Sequence, residues 1–308
     1  MPEHTAAISM NRDATLGVIF ALLAAIGFSA KAIFVKLAYR DVSVDAITFL
    51  VLRMAFSVPF FIGVALWFRY RRAAPISGRD KLLVLGLGLI GYYLSSLFDF
   101  MGLAYITAGL ERLVLFLYPT FTVILMALVY KKPIGRRTLA AMALCYLGIV
   151  LVFVHEAGVK QGGNLALGAS LVFAATLTYS TYLVGAGHAI ARIGATRFTA
   201  YAMIVASAAA FVQFALTRHL SALEVPAHVY GLSIGVALFS TVLPAFALGW
   251  AIRHIGSGSA SLIGAIGPVS TIYMAYLFLG EKLSPIQIFG SALVLVGVLI
   301  VSLNSKKG

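Results

Sequence analysis

Several ionisable side chains interrupt long apolar runs in the first half of this sequence. They are Lys31, Lys36, Arg53, Asp99, Glu111 and Arg112. Because a charge is expensive to bury in lipid, such groups normally face a cavity or an ionic partner. Lys36, Glu111 and Arg112 lie near the ends of the predicted helices, and we expect their side chains to reach the membrane surface. Lys31 and Arg53 lie deeper. Either they pair structurally with one of the two carboxylates, or one of them meets a carboxylate of a substrate.

A polar stripe is predicted on one helix of the same half. Tyr92, Ser96 and Asp99 are spaced at i, i+4 and i+7, which places them on one helical face. A ring, a hydroxyl and a carboxylate in line are able to hold a zwitterion. In that arrangement Asp99 takes the ammonium group, Lys31 takes the carboxyl group and Tyr92 contacts the side chain. The alternative is a seam of hydrogen bonds between helices, and the sequence leaves both interpretations open.

Two further tyrosines extend this candidate site into the second half. Tyr179 and Tyr182 are spaced at i and i+3, and at a shift of 151 residues they correspond to Phe28 and Lys31. The two halves would then present aromatic surfaces to each other. The predicted substrate-binding residues are Lys31, Tyr92, Ser96, Asp99, Tyr179 and Tyr182.

Nothing in the sequence indicates catalytic residues, a metal site or a cofactor. His155 is not followed by a second His at metalloprotease spacing, and residues 256–261 do not form a nucleophile elbow. A nucleotide-binding P-loop is absent, so we do not expect ATP hydrolysis within this chain. Cys145 is the single cysteine, which excludes an intramolecular disulfide. Coupling to protons is possible through Asp99 or Glu111.

The composition is that of an integral membrane protein. The chain is 61% hydrophobic and 11% charged, with a mean hydropathy of +1.00, which is too apolar for a soluble protein of 308 residues. Continuous uncharged runs of about 18 residues or more are long enough to cross a bilayer as helices. They do not alternate as barrel strands do. These runs are Leu113–Tyr130, Val229–Ile252, Ile255–Gly280 and Leu283–Ser305.

Turn signals and charges divide the chain into ten predicted spans, five in each half. The spans are 16–38, 44–68, 82–101, 108–130, 138–156, 164–187, 196–217, 228–250, 257–280 and 284–303. We therefore predict a cytoplasmic segment at 1–15, without a cleavable signal, and two five-helix repeats at 16–156 and 164–303. Because five is odd, the second repeat enters the membrane from the opposite side. The predicted fold is all-α, with two inverted repeats.

An internal duplication supports this division. At a shift of 149 residues, Tyr118-Pro119-Thr120 returns as Gly267-Pro268-Val269, and the register persists into the following run. Paired repeats with interrupted helices indicate a transporter. Because proline disrupts a helix, we predict kinks or hinges at Pro119, at the Gly267-Pro268 pair and at Pro244.

The distribution of charge predicts the orientation. Most of the 23 Lys and Arg residues fall in loops on the same side as the N-terminus, and cytoplasmic loops retain such residues. Both termini should therefore be cytoplasmic. The net charge of +13 is then a signal of topology, and we expect no binding to nucleic acid.

These features resemble the EamA-type branch of the drug/metabolite transporter superfamily, over about residues 15–304. The residues that carry the resemblance are the Pro119 and Pro268 pair and the Leu279–Leu283 ending, followed by Gly290 and Gly297. Within that branch the chain looks most like bacterial aromatic amino acid exporters of the inner membrane. The resemblance implies alternating access and a central cavity lined by the first, third, fourth, sixth, eighth and ninth helices.

The chain departs from this resemblance at one ending, and it also differs from another group of the superfamily. Lys131 and Lys132 replace the Gly-Glu ending in the first repeat. Small multidrug antiporters of the superfamily carry a mid-membrane Glu in the first helix, whereas this helix has Lys31 and no carboxylate, which argues against lipophilic cations as substrates.

We therefore expect a secondary transporter that exports small zwitterions, amino acids above all, with aromatic or bulky apolar side chains favoured. The expected partners are the substrate and the lipid bilayer, and a monomer is compatible with the sequence. One alternative is a proton-coupled exporter of drugs or other metabolites. An integral-membrane enzyme or a lipid-handling protein is the alternative from another class.

Overall fold

A computed structural model describes residues 2–41, 44–71, 74–131, 135–158, 164–264, 266–282 and 284–304. These residues form helices, joined by short connections, and contain no strand. The first half contains α1 (Pro2–Asp41), α2 (Ala46–Tyr70), α3 (Gly78–Leu87), α4 (Ser95–Leu103), α5 (Ala108–Leu115), α6 (Tyr118–Tyr130) and α7 (Arg136–Gly158). The second half contains α8 (Leu165–Ile193), α9 (Ala195–Thr217), α10 (Ala227–Ala237), α11 (Leu243–Gly264), α12 (Ile266–Met274) and α13 (Pro285–Asn304). A short 3-10 helix covers Leu220–Leu223.

Three π-helical segments extend or join these helices. Gly88–Leu94 connects α3 to α4, Leu238–Val242 connects α10 to α11, and Ala275–Leu279 follows α12. The first two occupy corresponding positions in the halves, because the shift of 149 residues places one over the other. The third helical segment of each half therefore contains a π-helical turn at the corresponding position.

Seven helical segments of the described chain are long and apolar enough to cross a membrane. They are Ala14–Arg40, Ala46–Tyr70, Gly78–Leu103, Ala108–Val129, Leu165–Ile193, Ala195–Thr217 and Ala227–Ile255. Three shorter apolar helices accompany them, at Leu139–His155, Ile266–Leu279 and Pro285–Gly297. The prediction of an all-helical, multi-pass membrane protein is confirmed.

A break between α5 and α6, at residues 116–117, lies next to Pro119. Pro119 lies in the first turn of α6, where the missing amide donor is tolerated because no residue of that turn has an intrahelical acceptor. Pro268 lies in α12 (Ile266–Met274) and is buried. The predicted hinge roles of Pro119, Gly267, Pro268 and Pro244 stay predictions.

The predicted boundary between the eighth and ninth spans is wrong. We expected a loop between residues 250 and 257, but α11 runs without a break from Leu243 to Gly264. Residues 250–257 contain no proline, and the charged side chain of Arg253 is exposed, so neither sterics nor burial forces the helix to stop there.

Both repeats end one helix in the same unusual backbone conformation. Lys131 caps α6 with a φ of 54°, and Gly280 ends the π-helical segment after α12 with a φ of 68°. These two residues correspond at the shift of 149. Glycine adopts the left-handed conformation without a steric penalty, whereas lysine does so at a cost.

The largest contacts between the halves are reciprocal. Helix α2 packs on α9 and α7 packs on α13, and each pair joins equivalent helices of the two repeats. Helix α1 packs on α11, and α4 packs on α8. In each pair, the first helix of one repeat contacts the third helical segment of the other repeat. Close packing of α7 on α13 requires glycine, because a Cβ on Gly148 would lie 2.5 Å from the carbonyl oxygen of Gly290.

The start of α2 gives a test of local stability. Asp45 Oδ1 accepts hydrogen bonds from the amides of Ile47, at 3.0 Å, and Thr48, at 3.3 Å. Arg218 Nη2 lies 3.1 Å from the same oxygen. Burial tends to raise the pKa of the Asp45 carboxyl, but hydrogen bonds from Thr48 and Arg218 outweigh it and hold the pKa below its ordinary value.

We predict that Asp45→Ala lowers the free energy of unfolding by about 1 kcal/mol, because it removes a helix cap. The apparent melting temperature in detergent should fall by roughly 2 °C at neutral pH. Because the folded-state pKa is lowered, the carboxylate stabilises the protein above its unfolded-state pKa, and this contribution disappears as the pH falls through the folded-state value.

Asp45→Asn is the matched control, since it keeps the cap and removes the ion pair. It should melt close to the wild type, because a partly exposed ion pair contributes little. Equal losses in both variants would assign the stabilisation to Arg218 instead of the cap.

Candidate functional site

A cavity of about 160 Å³ lies between the two halves. Its walls come mainly from α1, α4, α5, α6, α8 and α11, together with the π-helical segments Gly88–Leu94 and Leu238–Val242. Helices α2 and α9 each add one side chain, Arg53 and Met203. Because both halves contribute walls, a relative movement of the halves would change access to this space.

The predicted polar stripe faces this cavity. Tyr92, Ser96 and Asp99 all line it, although Tyr92 lies within the π-helical segment Gly88–Leu94. The wider turn of a π segment changes the angular spacing only slightly over two turns, so the three side chains still share a face. Lys31 and Tyr179 line the same cavity.

Lys31 lies between two buried carboxylates. Its ammonium group donates a hydrogen bond to Asp99 Oδ2 and lies 3.4 Å from Glu111 Oε1. Asp99 and Glu111 are 2% and 0% exposed, so water does not replace this pairing. The structure therefore brings Lys31 together with both candidate partners. Its predicted contact with a substrate carboxyl group stays a prediction.

Arg53 is held in a different way. Its Nη2 atom donates a hydrogen bond of 3.0 Å to Ser96 Oγ, and the guanidinium lies 4.9 Å from the centre of the Phe100 ring. The side chain is buried, and its Nε atom has no hydrogen-bond partner among the described residues. A hydroxyl and an aromatic ring therefore hold this cation, without neutralising its charge.

Arg112 is also buried, which corrects one expectation. We expected the side chains of Glu111 and Arg112 to reach the membrane surface, but their residues are 0% and 9% exposed. Arg112 Nη2 donates a hydrogen bond of 3.3 Å to Ser29 Oγ. A Cβ on Gly267 would lie 2.5 Å from the same nitrogen, so the glycine leaves room for the guanidinium. Helix α5 packs among α1, α8 and α12, and this position buries both side chains.

Lys36 does not line the central cavity. It is only partly buried and lines a second, more open cavity at the far end of α1, together with Arg40, Asp45, Arg218 and Glu281. The expectation of a side chain near the surface fits this position.

Aromatic rings form a continuous wall along one side of the central cavity. The hydroxyl of Tyr182 donates a hydrogen bond of 2.9 Å to the hydroxyl of Tyr92, and Tyr179 stacks on Tyr182 with ring centres 5.7 Å apart. Tyr118 contacts Tyr179 edge to face at 5.3 Å. Tyr92, Tyr118 and Tyr179 line the cavity, whereas Tyr182 lies behind them. Gly91 leaves room for the Tyr182 ring, since a Cβ there would lie within 2.5 Å of three of its atoms.

Several residues of the site were missed by the sequence analysis. Ser240 and Thr241 line the cavity from the second π-helical segment, and Arg112 lines it from α5. The shift of 149 residues was the available signal for Ser240 and Thr241, because it pairs them with Gly91 and Tyr92. No spacing in the sequence indicated the side-chain direction of Arg112.

Glu281 joins the two halves at the end of the molecule away from the start of α1. Its Oε1 atom accepts a hydrogen bond of 3.0 Å from the amide of Ala108, and Oε2 accepts one of 3.4 Å from Gly109. A carboxylate at these first amides of α5 satisfies unpaired donors and suits the positive end of the helix. The first repeat has Lys132 at the corresponding position, so the duplication does not repeat this contact.

The comparisons with known proteins agree with this architecture. The sequence matches the model of the EamA-like transporter family twice, over residues 15–154 and 166–303. Over 287 residues it is 31% identical to YcbK of Bacillus subtilis (strain 168), an uncharacterized transporter, with 92% of this chain and 91% of that protein covered. A segment of 55 residues, 18% of each chain, is 40% identical to a "probable terminal-alkyne amino-acid exporter" of Streptantibioticus cattleyicolor.

The fold is also found in a solved protein. One crystal structure matches with a TM-score of 0.64 at 17% sequence identity, over 94% of this chain and 98% of that one. At this identity the match concerns the fold alone. The two family matches together cover nearly the whole sequence, one in each half. The chain therefore belongs to the EamA-like transporter family.

Proposed function

We propose that this transporter exports small zwitterionic metabolites, amino acids above all, with aromatic or bulky apolar side chains favoured. The observation that carries the proposal is the cavity between the halves, in which buried charged groups face a wall of tyrosines. The short match to a probable amino-acid exporter supports the same substrate class.

The geometry of Asp99 supports recognition of the ammonium group. Its Oδ2 atom accepts the hydrogen bond from Lys31, while Oδ1 is buried and has no hydrogen-bond partner among the described residues. An ammonium group donates up to three hydrogen bonds, so it is able to use this free oxygen. The rings of Tyr92 and Tyr179 then contact the side chain of the substrate.

We further propose ten membrane spans, arranged as two inverted five-helix repeats. The three shorter apolar helices supply the spans missing from the seven long ones. The reciprocal packing of α1 on α11 and of α4 on α8 supports a pseudo-twofold relation, because such symmetry exchanges equivalent contacts.

The position of the cavity supports a mechanism of alternating access. Its lining extends to Ala21 on α1 and to Ile252 and Gly264 on α11. The cluster of Lys31, Asp99 and Glu111 lies toward the other end of the cavity. Beyond that cluster, Glu281 holds the second half against α5. Release on the far side requires this contact to break. With the termini in the cytoplasm of a bacterium, this movement exports the substrate across the inner membrane.

Transport of labelled amino acids by purified protein in liposomes tests the substrate class. We predict efflux of phenylalanine, and a decrease of about tenfold or more in the rate for Asp99→Asn, because the variant loses the charge that faces Lys31 and the ammonium group. Initial rates are measured with and without an imposed pH gradient.

Asp80→Asn is the control, since Asp80 pairs with Arg192 at 3.1 Å and does not line the cavity. Its transport rate should match the wild type. Absence of flux for every amino acid in the wild type would contradict the proposed substrate class. Unchanged kinetics in Asp99→Asn would assign Asp99 to structure, and flux that ignores the pH gradient would exclude proton antiport.

The orientation has its own test. We predict that small tags at the two termini are accessible from the same face of sealed membranes, the cytoplasmic face, because an even number of spans returns the chain to its starting side. Protease protection in spheroplasts and inverted vesicles measures this directly. Tags on opposite faces would contradict ten spans.

A further inference from the structure

The polar part of the central cavity contains more positive than negative charge. In the described chain it brings together the cations Lys31, Arg53 and Arg112 with the carboxylates of Asp99 and Glu111. Three cations against two carboxylates leave one positive charge uncompensated. Protonation of either carboxylate increases this excess, so its sign does not depend on their titration. An uncompensated charge is costly at this depth, and an anionic ligand would offset the cost.

The excess lies on the two arginines. Lys31 contacts both carboxylates, whereas neither guanidinium has a carboxylate within 4.0 Å among the described residues. Each arginine donates to one neutral hydroxyl, Arg53 to Ser96 at 3.0 Å and Arg112 to Ser29 at 3.3 Å. Their Nε atoms are buried without a partner. A guanidinium has five N–H donors, so both side chains retain unused donors in the cavity wall.

We propose that Arg53 and Arg112 form the anion-binding part of the cavity and take the carboxylate of the transported molecule. Guanidinium groups suit this role, because their planar fork matches the two oxygens of a carboxylate. Lys31 is not needed for it, since Asp99 and Glu111 already compensate its charge. This inference rests on the proposed transport of small zwitterions and identifies the groups that select them.

The charge balance determines which part of the substrate is essential. A carboxylate neutralises the excess positive charge of the two arginines. The ammonium group of a zwitterion does not reduce that excess. The carboxylate should therefore contribute more to binding than the ammonium group, which adds its hydrogen bond to Asp99. The ligand class is a small molecule with a carboxylate and an aromatic or apolar body, which packs against Tyr92 and Tyr179.

Calorimetric titration of the full chain in lipid nanodiscs tests this order of importance. The probes are phenylalanine, 3-phenylpropanoate, which lacks the ammonium group, and phenylalaninamide, which lacks the carboxylate. Relative to phenylalanine, we expect 3-phenylpropanoate to lose less affinity than phenylalaninamide does. Phenylalaninamide should bind at least about tenfold more weakly, because it loses hydrogen bonds to charged groups.

Variants then assign the effect to the two arginines. Arg53→Met and Arg112→Met preserve much of the side-chain volume, and each should raise the Kd of 3-phenylpropanoate about tenfold. Arg53→Lys keeps the charge and loses the fork, so its Kd should lie between those of Arg53→Met and the wild type. Arg192→Met is the control, since that side chain is 57% exposed and pairs with Asp80. Its affinity should not change.

Each outcome separates this inference from the proposed function. Equal binding of phenylalaninamide and phenylalanine, no binding of 3-phenylpropanoate, or unchanged affinity in both methionine variants would overturn the inference, even if amino acids are transported. Arginine-dependent binding of 3-phenylpropanoate without amino-acid flux would support the inference and contradict the proposed substrates. If a methionine variant does not fold, the analogue series in the wild type and Arg53→Lys still decides the question.

Discussion

Charge buried at the depth of a lipid bilayer must be compensated, and this constraint organises the centre of the protein. Lys31 lies on α1, Arg53 on α2, Asp99 on α4 and the Glu111-Arg112 pair on α5. None of these helices satisfies its own charges. They converge because an ammonium group or a carboxylate facing lipid would cost far more than the packing of one helix contributes. The cavity, the buried ion pair and the transport proposal all depend on that convergence.

The two halves contribute different chemistry to the same cavity. The charged groups come from the first half, while the second supplies hydroxyls at Ser240 and Thr241 and the ring of Tyr179. The second half also receives hydrogen bonds from the first, since Ser29 Oγ lies 2.9 Å from the carbonyl oxygen of Gly267. A duplicated fold with divided roles is able to keep its packing symmetry while its cavity becomes asymmetric. Glu281 continues this asymmetry at the far end, because only the second repeat provides that carboxylate.

The sequence predicted the features that depend on local composition. Long uncharged runs predicted membrane helices, and spacing alone placed Tyr92, Ser96 and Asp99 on one face. Features that depend on distances between helices were not predictable. The burial of Arg112 follows from the position of α5 among its neighbours, and the proximity of Arg53 to Ser96 follows from the packing of α2 near α4.

The errors have equally physical causes. A cation at Arg253 suggested a loop, but an exposed arginine is compatible with a helix that extends beyond the membrane. The π-helical segments at Gly88–Leu94 and Leu238–Val242 have no distinctive composition, because a π turn arises when tertiary packing favours an extra residue in a helix. These segments help to shape the cavity, so its detailed lining was not readable from periodicity.

Transport through this cavity requires that water and solutes reach Ser96 from one face of the membrane. The reactivity of Ser96→Cys, in a Cys145→Ala background, with a membrane-impermeant thiol reagent in sealed vesicles of each orientation tests this access. The cysteine should be modified from the cytoplasmic face, and the modification should slow in the presence of substrate. Leu128→Cys, whose side chain lies on the outer, apolar surface of the bundle, should not react. If the cysteine at position 96 reacts from neither face, solutes do not reach the cavity and it is not the transport path.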